Sequence, residues 1–190
     1  MGISVLILGL LVFLATHLFV TMREARAATI AKLGLNAYRA LFSIVSLGSL
    51  ALIVWGYSNS PWIQVWSPPG FMRHLTIGLM LLASVALVAY FIPSHIKAWL
   101  KHPLLVAAKT WAFAHLLVNG DLASIIMFGV FLVWGVYARI AAKKRSDKGF
   151  TTPPAGWTND IIVVVIGIVV YIALGLAFHP MALHHPVFGV

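Results

Sequence analysis

Three features of the sequence predict an all-α fold, a polytopic membrane helix bundle of about six transmembrane helices. Hydrophobic residues make up 62% of the 190-residue chain, and charged residues only 9%. Long apolar runs recur along the chain. Basic residues sit in the short stretches between them. A soluble domain carries about 25% charged residues, and a chain this small with so few cannot coat itself in polar surface. Lipid must therefore solvate much of the exterior.

The runs are taken in order, as one membrane domain over residues 1–190. The first, Ile3 to Met22, has no formally charged residue, and about 20 apolar residues match a bilayer core. It lacks a basic stretch before the apolar one, so it reads as a retained helix and not a cleaved leader. Six spans are expected, at roughly 3–22, 37–57, 73–92, 103–118, 122–141 and 160–178. Pro93 and Ser94 follow the third. Pro103 opens the fourth, where a missing N–H costs nothing. Asn119-Gly120-Asp121 joins the fourth to the fifth, with Asp121 suited to an N-cap. Thr152-Pro153-Pro154 precedes the sixth. The fourth is the shortest, holds Lys109 and His115, and fits either a short tilted helix or a re-entrant one. Loop two carries Trp62 and Trp66 and is expected at the lipid interface.

Charge placement fixes an orientation. Arg23, Arg26, Lys32, Arg39, Lys97, Lys101, Arg139, Lys143, Lys144, Arg145 and Lys148 are eleven of the thirteen basic residues, and all fall on one side if six spans alternate. Arg73 stands on the other side and Lys109 lies inside a span. The positive-inside rule then puts the odd-numbered loops in the cytoplasm and both termini outside. For a bacterial inner (cytoplasmic) membrane, outside is the periplasm. The net charge of +9 is thus an orientation signal and not a nucleic-acid footprint. Without cysteine, there is no disulfide, thiolate metal site or thiol nucleophile. The four acidic residues, Glu24, Asp121, Asp147 and Asp160, avoid mid-span positions, which argues against a carboxylate-driven proton pump.

Ionisable residues within spans are the functional candidates. They are His17, Lys109 and His115. His17 sits among small residues in Ala15-Thr16-His17, and His115 follows Trp111-Ala112-Phe113-Ala114. A histidine flanked by alanine and an aromatic suits a flat apolar cofactor, and imidazole is a good iron ligand, so the pair suggests haem. Lys109, Lys97, Lys101, Arg39 or Arg26 would then meet its carboxylates. Equally, each histidine alone fits a hydrogen bond to a neighbouring helix, and Lys109 fits a snorkelling side chain. The two histidines also differ in depth: His17 falls toward the cytoplasmic end of span one, His115 near or beyond mid-membrane. His102 fits a cap before span four or a distal ligand. His179, His184 and His185 read as an interfacial tail.

Three blocks resemble the NnrU family of bacterial membrane proteins and, more distantly, the 15-cis-zeta-carotene isomerases of plants and cyanobacteria. They are His17 with the basic stretch after it; Gly34, Tyr38, Arg39, Leu41, Phe42, Ser46 and Leu47; and His102-Pro103 with Trp111, Ala114, His115, Leu117 and Gly120. The resemblance implies haem b with His17 and His115 as its axial metal ligands, and Tyr38, Arg39, Lys109, Trp111 and Ala112 around the cofactor. It also implies a chemistry, redox-gated cis–trans isomerisation of a long apolar polyene. The isomerases carry a cysteine three residues before the ligand histidine, where this chain has Ala112, so ligand exchange through that cysteine is not open to it. Three functions stand at this point. The first is a redox-active haem protein with isomerase-like chemistry, its partner a polyene or a quinol in the lipid bilayer. The second is a non-enzymatic haem- or nitric oxide-linked accessory factor for denitrification. The third is a haem-free transporter.

Overall fold

The computed structural model describes residues 1–153, 156–182 and 187. Among these residues the chain is helical and has no strand; one isolated bridge joins Gln64 to Asp121. The helices are α1 (Gly2–Phe19), α2 (Arg23–Leu33), α3 (Leu35–Ser58), α4 (Met72–Phe91), α5 (His95–Leu100), α6 (Pro103–Leu116), α7 (Leu122–Lys144), α8 (Thr158–Ala173) and α9 (His179–Ala182). A π-helical turn, Leu174–Phe178, joins the last two.

Among the described residues five stretches are long and apolar enough to cross a membrane: α1, α3, α4, α7 and Thr158–Met181. The expected fourth span forms as α6 but has 14 residues. At 1.5 Å per residue that is about 21 Å, against a hydrocarbon core of about 30 Å. Pro103 opens α6, and the Asp121 carboxylate accepts from Ser124 N at 2.9 Å, which caps α7. Two stretches expected as loops are helical. α2 is polar but rich in alanine, a strong helix former, and Gly34 ends it at φ +81°. α5 is capped by Ser94, whose side chain accepts from Lys97 N.

The chain divides into two compact units. The first holds residues 1–67 and 119–130. Its core is α1 against α3, with Leu6, Leu10, Phe13 and Ile53 buried. Two glycines set the approach. A Cβ on Gly9 would lie 2.8 Å from Ile53 N, and one on Gly56 would collide with the backbone of Leu6. Without a hydrophobic drive between helices in lipid, such backbone proximity is what holds them together. Loop two is tied to the start of α7. Val65 N donates to Gly120 O at 2.8 Å, Leu122 N to Ile63 O at 2.9 Å, and the Tyr57 and Ser124 hydroxyls bond at 3.0 Å.

The second unit holds residues 68–118 and 131–190. Here α4 is central, packed by α6 and α8. Ala112 and Ala114 are fully buried, and Thr76 Oγ1 donates to Ala114 O at 3.0 Å. Gly167 lets α8 close on α4; a Cβ there would sit 2.9 Å from Val85 Cα. Val88, Ala89 and Val163 complete the contact. At one end Asp160 accepts from His95 Nδ1 at 2.8 Å and from Ile96 N at 2.9 Å, while Trp157 stacks on the His95 ring at 4.1 Å. This cluster fixes the start of α8 to α5.

Candidate functional site

In the first unit His17 lies in the last turn of α1, half-buried. Its Nδ1 lies 2.8 Å from Phe13 O. A carbonyl only accepts, so Nδ1 carries the proton and Nε2 carries the lone pair. The ring stacks on Phe13 at 3.9 Å and meets Phe42 at 5.4 Å. Helical spacing explains the set: Phe13 and His17 are one turn apart on α1, and Tyr38 and Phe42 one turn apart on α3. Tyr38 continues the aromatic row at 6.5 Å from Phe42, with the Arg26 guanidinium 5.6 Å from its centroid.

Two donors in this row stand out. The Tyr38 hydroxyl and Arg26 Nε are buried and have no hydrogen-bond partner among the described residues. A buried unpaired donor costs free energy, about 1–3 kcal/mol for a neutral group and more for a charged one. Both donors would be satisfied by an anion such as a carboxylate. Arg39, beside Tyr38 in sequence, is exposed.

In the second unit His115 lies in the last turn of α6. Its Nδ1 is 2.9 Å from Trp111 O, which fixes the same tautomer as in His17. Trp111 meets the His115 ring at 5.4 Å and packs edge-on against Phe131 at 5.5 Å. Ala112 and Ala114 do not open space beside the histidine; both are fully buried, Ala114 where α6 meets α4. Lys109 is half-buried, and its stem lies across Gly135 of α7, where a Cβ would come within 2.6 Å of Lys109 Cγ. His102 is the residue before α6, and its buried Nε2 has no hydrogen-bond partner among the described residues.

One expectation is corrected here. His179 does not lie in a tail: the last membrane helix runs on past the expected end, and its ring lies 6.3 Å from that of His115 with 17° between the planes. His184 and His185 lie outside the described residues. An open apolar groove of about 460 Å³ runs along the same stretch, lined by Val170, Ala173, Leu174, Ala177, Phe178 and Met181. No group of three or more His, Asp or Glu converges among the described residues.

Helices of this length and composition, with histidines set into them in fixed tautomers, define a class: a multi-pass, all-α membrane protein with imidazoles at the ends of apolar helices. The family model described as NnrU protein matches residues 5–187, and the chain belongs to the NnrU family. No curated protein and no solved structure matches it.

Proposed function

We propose that this protein binds one haem b in the membrane, which His17 and His115 would hold through their imidazoles, and works as a redox-active haem protein on a long apolar partner, a polyene or a quinol. The observation that carries this is the state of the two rings. Each gives its Nδ1 proton to the carbonyl four residues back. Metal-bound histidines make such a bond through one ring nitrogen, and it leaves Nε2 as the basic one. The donor set fits the group. Imidazole suits haem iron, the Phe13–Phe42 row suits a flat macrocycle, and the orphaned Arg26 Nε and Tyr38 hydroxyl suit a propionate. When bound, haem b supplies a one-electron redox centre. Arg39 and Lys109 offer further cations to the carboxylates, and Trp111 orients His115 through its carbonyl. The bacterial inner membrane, with both termini in the periplasm, is the setting that the basic loops support.

Ala112 supports a second reading. It stands where the isomerases have cysteine, and it is fully buried. That favours a non-enzymatic haem- or nitric oxide-linked accessory factor in denitrification over an isomerase.

The test is the absorption spectrum of the detergent-purified protein, oxidised and then reduced with dithionite. A sharp Soret band, with resolved α and β bands on reduction, is expected. His115→Ala is expected to lose haem on gel filtration. A flat visible spectrum after expression with ample haem would overturn the reading and leave a haem-free transporter.

A further inference from the structure

We propose that the second unit carries a binding site for the headgroup of an anionic phospholipid, built where residues 145–150 fold back onto the end of α5. The haem proposed above draws on none of these residues, and all of them belong to one compact unit.

The fold first gathers the charge. Lys97 and Lys101 lie one turn apart, on α5 and just after it. Lys143 and Lys144 end α7, and Arg145 and Lys148 follow them. The two groups are far apart in sequence and meet through the backbone. Phe150 N donates to Lys101 O at 2.8 Å. Gly149, at φ +66°, packs so closely that a Cβ there would collide with the Lys101 carbonyl. Six cations are thus drawn to one end of the unit.

Nothing in the chain answers that charge. Among the described residues none of the six lies within ion-pair distance of a carboxylate. Asp147 turns Oδ1 inward, accepting from Gly149 N at 2.9 Å, and Asp160 is taken up by His95 and Ile96. Like charges repel, and free lysine side chains would spread into water. Lys97 is held back: its Nζ donates to Tyr90 O at 2.6 Å and lies 4.0 Å from the Phe150 ring centroid, a cation–π contact. Lys101 takes φ +61° with ψ −44°, a strained backbone for a residue with a Cβ. Such strain persists where the surroundings impose it, as at ligand clamps. Cations fixed in place against their own repulsion are matched by a shared anion.

The surroundings select a lipid as its carrier. α4 ends at Phe91 and α7 at Lys144, and both helices are long and apolar enough to cross a membrane. The cluster therefore sits at the level of the headgroups. Phe91, Trp99 and Phe150 are 70%, 67% and 45% exposed. Aromatic rings at a span end favour the lipid–water boundary. Basic side chains there raise association with anionic lipid by about 5-fold each. A phospholipid finds both its parts here: lysine ammonium groups for the phosphate, and the exposed apolar side of α4 for an acyl chain. A free phosphate gains only the first.

The experiment places the full chain in phosphatidylcholine nanodiscs with a trace of spin-labelled lipid. Electron paramagnetic resonance of the motionally restricted fraction gives the preference for phosphatidylglycerol over phosphatidylcholine. The wild type is expected to prefer phosphatidylglycerol by about 5-fold or more. Lys97→Gln/Lys101→Gln is expected to lose most of that preference. Gly149→Val keeps every charge but blocks the fold-back, and it is expected to lose the preference too. Should Gly149→Val fail to give a monodisperse protein, Phe150→Ala, which releases Lys97, takes its place with the same expected loss. Arg23→Gln/Lys32→Gln removes equal charge from the first unit and is expected to keep the preference. Equal losses in the two double variants would overturn the proposal, since net charge alone would then decide. So would no preference in the wild type, or full preference in the charge-neutral variant. Loss of the preference on adding inorganic phosphate, beyond that caused by equal ionic strength of chloride, would make this a site for free phosphate and overturn the lipid assignment.

Discussion

Tyr38 carries a sharp expectation because its hydroxyl is buried without a hydrogen-bond partner among the described residues. In the ligand-free protein Tyr38→Phe removes an unsatisfied donor, so thermal stability in detergent should stay level or rise. In the haem-loaded protein the same change removes a donor to a carboxylate, worth about 1.5–3 kcal/mol. Haem transfer to a competing acceptor protein should then speed up by about 10-fold or more. Equal effects on both forms would show that the hydroxyl has no part in binding. Asp160 gives a second case. It is almost fully buried and takes two hydrogen bonds, from His95 Nδ1 and Ile96 N. Asp160→Ala leaves both donors unpaired and should cost about 2–3 kcal/mol in thermal or denaturant unfolding. His17, Lys109 and His115 stood out in the sequence as candidates because an ionisable group inside an apolar run is conspicuous. The His95–Asp160 pair was not, since its partners are 65 residues apart and each looks like an ordinary helix-end residue. His179 was misread for a related reason: proline and histidine around it suggested a tail, and nothing local shows a π turn.

The helices themselves were easier to read than their contacts. Hydropathy located the spans, and Pro103 and Asp121 marked the ends of α6 and α7 as their chemistry requires. α2 was missed because it is polar and α5 because it is short, with alanine in the one and a serine cap on the other to favour helix where the basic residues suggested loop. The α1–α3 contact was not legible either, because a glycine in an apolar run has no pattern of its own. It now supports a prediction. Gly9→Ala pushes a methyl group to within 2.8 Å of Ile53 N, a backbone atom that cannot step aside. Overpacking of this kind costs about 1–3 kcal/mol. Gly48→Ala, on α3 with open space around it, should be neutral or slightly stabilising. Thermal scans of both variants in one detergent decide the matter; equal midpoints would remove Gly9 from the contact.

Orientation in the membrane depends on all the helices together. Among the described residues five stretches are long enough to cross, and α6 is too short to span alone, so a count of six needs α6 to cross with help from its neighbours. The basic residues decide between the counts. With six crossings, loops one, three and five share one face. With five, the cluster from Arg139 to Lys148 leaves that face, against the positive-inside rule. The chain has no native cysteine, so single-cysteine variants report cleanly. Arg145→Cys should be shielded from a membrane-impermeant maleimide in intact cells, and Val187→Cys should be labelled. Labelling of both or neither would rule out six crossings.

The wide turn at Leu174–Phe178 has a consequence for how this protein tolerates change. An α-helix advances about 100° per residue, so one residue more or fewer resets the bearing of everything downstream. The aim of His179 is therefore held by the number of residues before it as well as by what it touches. Deleting Ala177 removes one methyl side chain together with its peptide unit. It should close the turn to ordinary pitch, since a π turn carries one residue more than an α turn, and so spare the bearing of the helix beyond it. Most single substitutions in that stretch should leave the bearing intact.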